Sequence, residues 1–179
     1  MKKSQYLDMR NTFKPTPVKL AFILESPPIS GKYFYNEMGS INEPLFSAMM
    51  KLLGIQVETK REGLVQFMNR GCLIVDSTYN PVNHLKGKKR NDAILLDFES
   101  LLIDLKNLSK RGTFPLFLVK ANICRTLGSK LSQEGYEVVN QDRVVPFPSH
   151  GNQLCFQIIA KEILTGLEDS RIFHRENIA

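Results

Sequence analysis

The fold is decided by a short apolar segment, Val18-Lys19-Leu20-Ala21-Phe22-Ile23-Leu24, which is followed by Glu25-Ser26-Pro27-Pro28. A short, mostly apolar run that stops at turn-forming residues is typical of a buried β-strand. Pro27 and Pro28 lack backbone N–H groups, so the chain cannot continue there as a central strand or as a helix. The segment therefore predicts a buried strand over 18–24 and a loop that begins at Glu25.

Similar apolar runs alternate with helical patterns along the rest of the chain. Buried strands are predicted over 72–76 and 115–119, and two short strand candidates over 136–139 and 144–146. Helices are predicted over 43–54, 60–69, 93–107, 122–134 and 152–167. Strands that are apolar throughout, rather than alternating, indicate a parallel sheet covered on both faces. The prediction is a three-layer α/β/α sandwich around a short, mainly parallel four-stranded sheet.

The chain predicts a single domain. With 179 residues, it is long enough to bury a core without disulfides or a structural metal. No internal repeat, low-complexity tract or linker divides the sequence. We expect a domain over 18–168, preceded by an arm or short helix over 1–17 and followed by a tail over 169–179.

The charge balance of the chain is basic. Lysine and arginine number 24 against 18 aspartate and glutamate residues, which gives a net charge of +6. A basic chain favours polyanionic partners such as nucleic acid. A basic soluble protein with no such partner explains the charge equally well.

The cysteines and the N-terminal residues indicate the cellular compartment in which the protein is expected. Cys72, Cys124 and Cys155 are far apart and lie in apolar contexts, which suits reduced buried thiols rather than a zinc site. The N-terminal residues are polar, and no apolar run approaches the roughly 18 residues that span a bilayer. We therefore expect a cytoplasmic protein that acts as a monomer and has no membrane partner.

Common cofactor and catalytic motifs are missing from the sequence. It contains no dinucleotide-binding glycine motif, no phosphate-binding loop of the Gly-Lys-Ser/Thr type and no Gly-x-Ser-x-Gly elbow. His84, His150 and His174 lack the helical spacing of a metal site. We expect neither a metal nor another cofactor.

Polar residues that follow predicted strands are the main site candidates, because ligands of parallel sheets bind at the carboxyl edge. After the first strand, Glu25 is a carboxylate that could position or deprotonate a water molecule. It could equally cap backbone N–H groups in the proline turn. In the loop after the second strand, Asn80 carries the donor and acceptor needed to read the edge of a heterocycle. Its alternative is an ordinary turn before Pro81.

Aromatic, cationic and loop residues around these positions have two interpretations each. The segment Tyr33-Phe34-Tyr35 could stack on a base or pack in the core. The basic run over 86–90 could contact phosphates or form a solvated surface. The loop over 146–151 opens the last helix, where N–H groups favour phosphate. Within that loop, His150 could stabilise negative charge or lie at the surface.

Three segments and one asparagine resemble the uracil-DNA glycosylase superfamily. The segment Ile23-Leu24-Glu25-Ser26-Pro27-Pro28 is similar to the first active-site motif, an apolar strand followed in one branch by Gly-Glu-x-Pro-Gly. Gly31-Lys32-Tyr33-Phe34-Tyr35 resembles the segment whose phenylalanine stacks on the flipped base. Asn80 matches the position of the base-reading asparagine. Phe147-Pro148-Ser149 resembles the His-Pro-Ser loop that precedes the final helix.

The resemblance implies a uracil-DNA glycosylase-like fold and a base-excision enzyme. Such an enzyme flips a deaminated, uracil-like base out of DNA and hydrolyses its N-glycosidic bond without a metal or nucleotide cofactor. Glu25 would orient or activate the water, Phe34 and Tyr35 would bind the base, and Asn80 would read its edge. Ser149 and His150 would contact phosphate or the departing base. DNA would be held by Lys32, Lys86, Lys88, Lys89, Arg90 and Ser149.

The sequence departs from the family pattern at three positions. Leu24 replaces the motif glycine, Pro28 the closing glycine, and Phe147 the histidine of the family's loop. Three scattered cysteines also cannot form the four-cysteine iron–sulfur cluster of some members. Two alternatives therefore stay open. One is a non-catalytic protein of the same fold that binds nucleic acid or a base, and the other is a hydrolase or transferase of a nucleotide or nucleoside metabolite.

Overall fold

A computed structural model describes residues 1–169 as an α/β fold around a parallel sheet. Its three strands, in the order β2-β1-β3, are β1 (Leu20–Leu24), β2 (Cys72–Asp76) and β3 (Leu116–Leu118). Both neighbours run parallel to β1, which places Leu24 beside Asp76 at one edge of the sheet. The three predicted buried strands are thus confirmed, and the arrangement is compatible with a three-layer fold.

Helices connect the strands and cover the sheet. In chain order they are α1 (Lys3–Thr12), α2 (Pro44–Leu52), α3 (Lys60–Asn69), α4 (Gly87–Leu96), α5 (Phe98–Leu108), α6 (Ala121–Gln133) and α7 (Gln153–Asp169). Thr59 begins α3 with a capping box in which its hydroxyl accepts from the Glu62 N–H and the Glu62 carboxylate bonds back to the Thr59 N–H. None of the helices within residues 1–169 is both long and apolar enough to cross a membrane.

All residues of the three strands are buried, as expected for a parallel sheet covered on both faces. Aromatic rings fill much of the space beside the sheet. The ring of Phe22 in β1 lies 6.1 Å from that of Phe67 in α3 and 5.2 Å from that of Phe117 in β3, measured between centroids. These ring contacts therefore pack the central strand β1 against β3 and against α3.

The predicted four-stranded sheet is not confirmed, because the candidate strand over 136–139 makes only one parallel bridge, between Leu116 and Val138. Beyond that bridge, the side chain of Asn140 takes the place of a strand. Its Oδ1 accepts from the Leu118 N–H at 2.8 Å, and its Nδ2 donates to the Leu118 carbonyl at 2.9 Å. Since this side chain already satisfies the outward backbone groups of Leu118, no further strand residues are needed there.

The predicted single helix over 93–107 is wrong, because two helices, α4 and α5, meet at Asp97. The backbone of Asp97 (φ −93°, ψ 6°) leaves the helical conformation, and its carboxylate accepts from the Thr78 hydroxyl and from Asn80 Nδ2 at 3.1 Å. Helical periodicity continues through this position, so the sequence gives no local sign of a break. The break lets an acidic side chain reach the loop that follows β2.

The N-terminal segment, expected to be an arm or a short helix, contains α1. Tyr6 and Phe13 lie in the common hydrophobic core, and Arg10 is 3% exposed. The Arg10 guanidinium donates to Asp104 of α5 and to the Tyr79 hydroxyl. These contacts fix α1 against α5. Of the predicted tail over 169–179, residues 170–179 lie outside the described part of the chain.

Candidate functional site

Glu25 lies directly after the central strand, at the edge where all three strands end. The residue is only 6% exposed. Its backbone carbonyl accepts from the Ser77 hydroxyl at 2.6 Å and from the Thr78 N–H at 3.2 Å, so the ends of β1 and β2 are joined. The strand end thus holds a carboxylate in a largely desolvated position.

The Glu25 carboxylate is held by three side chains from distant parts of the sequence. Lys120 Nζ contacts Oε2, and Asn122 Nδ2 donates to Oε1 at 2.7 Å. Arg90 Nη1 lies 3.7 Å from Oε1. The cluster therefore combines one formal negative charge with two positive charges, and the carboxylate binds these side chains rather than capping the proline turn.

Lys120 occupies an unusual backbone conformation between β3 and α6. Its φ of 88° and ψ of 131° are rare for a residue with a side chain. Its N–H donates to the Val145 carbonyl at 2.9 Å, which ties it to the loop before α7. Lys120 and Asn122 are not among the site residues predicted from the sequence. Their position directly after the predicted strand over 115–119 was the available signal, since it is the same rule that selected Glu25.

Arg90, predicted to bind DNA, is instead engaged within the protein. Besides approaching Glu25, it donates from Nε to the Leu85 carbonyl at 2.7 Å and from Nη2 to the Asn83 carbonyl at 3.2 Å. Asn83 Oδ1 in turn accepts from the Ile29 N–H at 3.3 Å. The loop after β1 and the loop after β2 are therefore neighbours.

The four lysines predicted to hold DNA all have exposed side chains. They lie in these two loops and at the start of α4, at positions 32, 86, 88 and 89. Lys86 precedes Arg90 by one helical turn, and the loop that carries Lys32 is bonded through Ile29 to Asn83. The structure thus places exposed cations on the segments that adjoin Glu25.

Phe34 and Tyr35, expected to bind a base, lie in the core. The ring of Phe34 is packed among those of Tyr35, Phe46 and Phe67, with centroids 5.0 to 5.7 Å away. The Tyr35 hydroxyl accepts from the Ile74 N–H at 2.7 Å. Burial leaves neither ring face free for base stacking in this structure, and the alternative of core packing describes them.

Asn80 and His150 are both exposed, and neither is hydrogen-bonded to Glu25 in the part of the chain that the structure describes. The amide of Asn80 bonds to Asp97, while its N–H donates to the Thr78 hydroxyl at 3.0 Å, as in an ordinary turn. His150 has a φ of 51°, and its Nδ1 lies 2.9 Å from the hydroxyl of Ser149. Asn80 thus stabilises the loop that follows β2, while the half-buried Ser149 and the exposed His150 form a separate pair.

Asp76 is a second buried carboxyl group at this edge, and it is not among the site residues predicted from the sequence. It ends β2 and is 4% exposed, and its Oδ2 has no hydrogen-bond partner among residues 1–169. Burial raises the pKa of Asp76 to about 7, an effect that Arg10 and Tyr33 partly offset and the charge of Glu25 reinforces. A cavity of about 180 Å³ lies beside it, between α1 and α5.

Comparison of the chain with family models, curated proteins and solved structures finds no match. Among residues 1–169 there is also no group of three or more His, Cys, Asp or Glu side chains placed to hold a metal ion. The chemistry of the site is therefore argued from its own residues.

Proposed function

We propose that this protein is a DNA glycosylase, which hydrolyses the N-glycosidic bond of a deaminated, uracil-like base. The observation that carries the proposal is the Glu25 carboxylate, buried at the carboxyl end of the central strand and held by Lys120, Asn122 and Arg90. Catalytic carboxylates are characteristically placed in such desolvated positions among charged partners. The same edge of a parallel sheet is where ligands bind.

The geometry suits attack by water on a sugar that becomes positively charged. A carboxylate offers about four acceptor positions. Hydrogen bonds from Lys120 and Asn122 occupy two of them, so an acceptor position is left for a water molecule. The negative charge of Glu25 stabilises the cationic sugar as the bond breaks, while Lys120 and Arg90 stabilise the anionic departing base. One cluster thus carries both of the charges that develop in the reaction.

The topology supports a uracil-DNA glycosylase-like fold. The strand order β2-β1-β3 puts Glu25 directly after the central strand, and the isolated bridge from Leu116 to Val138 lies on the side of β3 where a fourth parallel strand would pair. The exposed lysines beside the site suit contact with the phosphates of a polymer rather than with a small metabolite.

Release of uracil from single- and double-stranded oligonucleotides tests the proposal. We expect Glu25→Gln to lower the rate at least about 100-fold, because general-base contributions are typically of that size. Glu58→Gln is the matched control, since Glu58 is an exposed glutamate in the loop before α3. Absence of release from a panel of deaminated bases, or equal rates for Glu25→Gln and the wild type, would contradict the proposal.

A second candidate is a protein that binds nucleic acid or a base without cleaving it. The observation that favours it is the burial of Phe34, which leaves no ring at this position to stack on a flipped base. This candidate predicts salt-dependent DNA binding with no free base produced. The release assay and a binding measurement on the same oligonucleotides separate the two candidates.

A further inference from the structure

We propose that the cavity beside Asp76 binds a primary ammonium group carried on a short aliphatic chain. The cavity has a volume of about 180 Å³, and its lining residues belong to α1, to α5, to Asp97 and to the chain over 76–79. The side chains that hold Glu25 belong instead to α4 and to the chain over 120–122. The proposal therefore concerns a second site and does not depend on the glycosylase assignment.

The cavity opens to solvent along α5. Ser100, Ile103 and Asn107 lie on one face of that helix, and all three are exposed residues of the cavity wall. Pockets for drug-sized ligands have volumes of roughly 300–1,000 Å³. This cavity is smaller, so it admits only a small molecule or the end of a side chain.

The wall of the cavity carries more negative than positive side chains, in a chain whose net charge is +6. Asp76, Asp97 and Asp104 line it together with one cation, Lys3. Arg10 donates to both carboxylate oxygens of Asp104 and balances that charge. Lys3 can balance only one of the other two carboxylates. When both are ionised, one negative charge is left for a cationic ligand.

The buried carboxylate of Asp76 points independently to a ligand with N–H donors. Asp76 is 4% exposed, and its Oδ2 accepts no hydrogen bond from residues 1–169. Buried carboxylate oxygens are ordinarily paired, because an unpaired one loses its hydration without replacement. Burial outweighs the effects of Arg10 and Tyr33 and leaves the pKa of Asp76 raised to about 7. An ammonium group bound beside Asp76 would supply both a hydrogen-bond donor and a compensating charge.

Tyr79 gives the wall an aromatic ring that already has cations beside it. Lys3 Nζ lies 5.8 Å from the centre of the ring, and the guanidinium carbon of Arg10 lies 6.0 Å from it. Cations at about this distance are attracted by the electron-rich face of an aromatic ring. Leu7 and Leu101 add apolar surface to the same cavity. Carboxylates, an aromatic ring and apolar surface together suit an ammonium group on an aliphatic chain.

Binding of n-butylammonium chloride to the full-length protein tests the proposal. A ligand-detected NMR titration at pH 8, where most of Asp76 is ionised, measures the affinity. We expect saturable binding, at least about tenfold tighter than that of tetramethylammonium, which has the charge but no N–H donor. The neutral 1-butanol should bind equally weakly. Absence of saturable binding, or equal affinities for the three compounds, would overturn the proposal.

Asp76→Asn removes the buried charge and keeps the shape of the side chain. We expect it to weaken n-butylammonium binding at least about tenfold, because loss of one partner of a buried charge pair has effects of that size or larger. Asp92→Asn, at an exposed position of α4, is the matched control. Equal affinities for the two variants would refute a site beside Asp76.

Ile103→Lys tests the same site from its exposed rim, where a substitution leaves the core intact. The new lysine places a competing ammonium group at the mouth of the cavity, so we expect a loss of n-butylammonium affinity of at least about tenfold. Ile158→Lys in α7 is the matched control, since Ile103 is 62% exposed and Ile158 51% exposed. Equal affinities for these two variants would place the amine elsewhere and overturn the proposal.

The source of the ammonium group is tested with Nα-acetyl-lysine methylamide, which carries the same four-carbon chain on a blocked backbone. Binding of n-butylammonium alone would support a free amine as the ligand. Comparable binding of both compounds would support the lysine side chain of a partner as the source, and binding of neither would overturn the proposal. These titrations do not involve release of a base, so this proposal and the glycosylase assignment stand or fall separately.

Discussion

At the scale of a single residue, the raised pKa of Asp76 makes the stability of the folded protein depend on pH. Its pKa is raised to about 7 by burial, against about 3.9 for an aspartate in an unfolded chain. The folded state therefore binds this proton more tightly than the unfolded state does. The stabilisation that comes from this tighter proton binding is complete below the pKa of the unfolded chain, about 3.9, and is lost as the pH rises through 7.

We expect the free energy of unfolding of the wild type to fall between pH 4 and 7 by up to about 1.4 kcal/mol per pH unit from this one residue. Asp76→Asn should remove that dependence, because the amide does not titrate. Urea unfolding at several pH values between 5 and 8 measures the difference. Asp92→Asn, an exposed position in α4, is the control, and parallel curves for Asp76→Asn and the wild type would refute the assignment.

The site residues show how far a residue can be recognised from its sequence neighbourhood. Glu25 was predicted because an apolar strand ends on it. Lys120 and Asn122 follow a strand in the same way, but their contacts with Glu25 span 95 and 97 positions of the chain and leave no local pattern. Phe34 and Asn80 had two interpretations each, and only the packing around them decided between core, loop and site.

At the scale of elements, α1 is fixed to the rest of the molecule by one buried arginine. Arg10 is 3% exposed, and it bonds to Asp104, which is 22% exposed, and to Tyr79. Burial alone would lower the pKa of Arg10, but the bond to Asp104 raises it overall, so the guanidinium stays charged. Loss of the guanidinium would leave an acid and a hydroxyl without their donor.

We expect Arg10→Met to lower the free energy of unfolding by about 3 kcal/mol, because breaking a mostly buried ion pair strands its partner. Arg143→Met is the control, since Arg143 and Glu162 form an ion pair whose side chains are 46% and 56% exposed. That change should cost less than about 1 kcal/mol. Equal losses in urea unfolding would show that α1 is not held by Arg10.

Elements that depend on local pattern were predicted, and those that depend on single distant contacts were not. Uniformly apolar runs identified the three strands, and α2 and α3 begin and end close to their predicted limits. The break at Asp97 and the replacement of a strand by Asn140 each depend on the hydrogen bonds of one side chain to another segment of the chain. Neither alters the hydrophobic periodicity on which the predictions were based.

At the scale of the whole molecule, two sets of three exposed lysines have different surroundings. Lys86, Lys88 and Lys89 lie at the start of α4, just before Arg90, whose guanidinium approaches Glu25. Lys51, Lys106 and Lys130 each lie in the last turn of a helix. The chain that follows α5 and α6 returns to the edge of the sheet where the strands begin. The end of α2 lies beside Arg70, which comes just before β2.

We expect DNA affinity to fall as salt rises, and the group beside Glu25 to cause most of the effect. Changing Lys86, Lys88 and Lys89 to Gln together should reduce the slope of log affinity against log salt by about 2 to 3, since each phosphate contact contributes about 0.9. Changing Lys51, Lys106 and Lys130 to Gln is the charge-matched control. Fluorescence anisotropy with a labelled duplex measures both slopes, and similar reductions would place the DNA elsewhere.

The amide of Asn140 also limits strand pairing between copies of this protein. Strands at the margin of a sheet ordinarily expose backbone groups that can recruit a strand from a second chain and start aggregation. Here the outward groups of Leu116 are bonded to Glu137 and Val139, and those of Leu118 are bonded to Asn140. A neighbouring chain therefore finds no free partner along β3, and this margin of the sheet resists growth into a fibril.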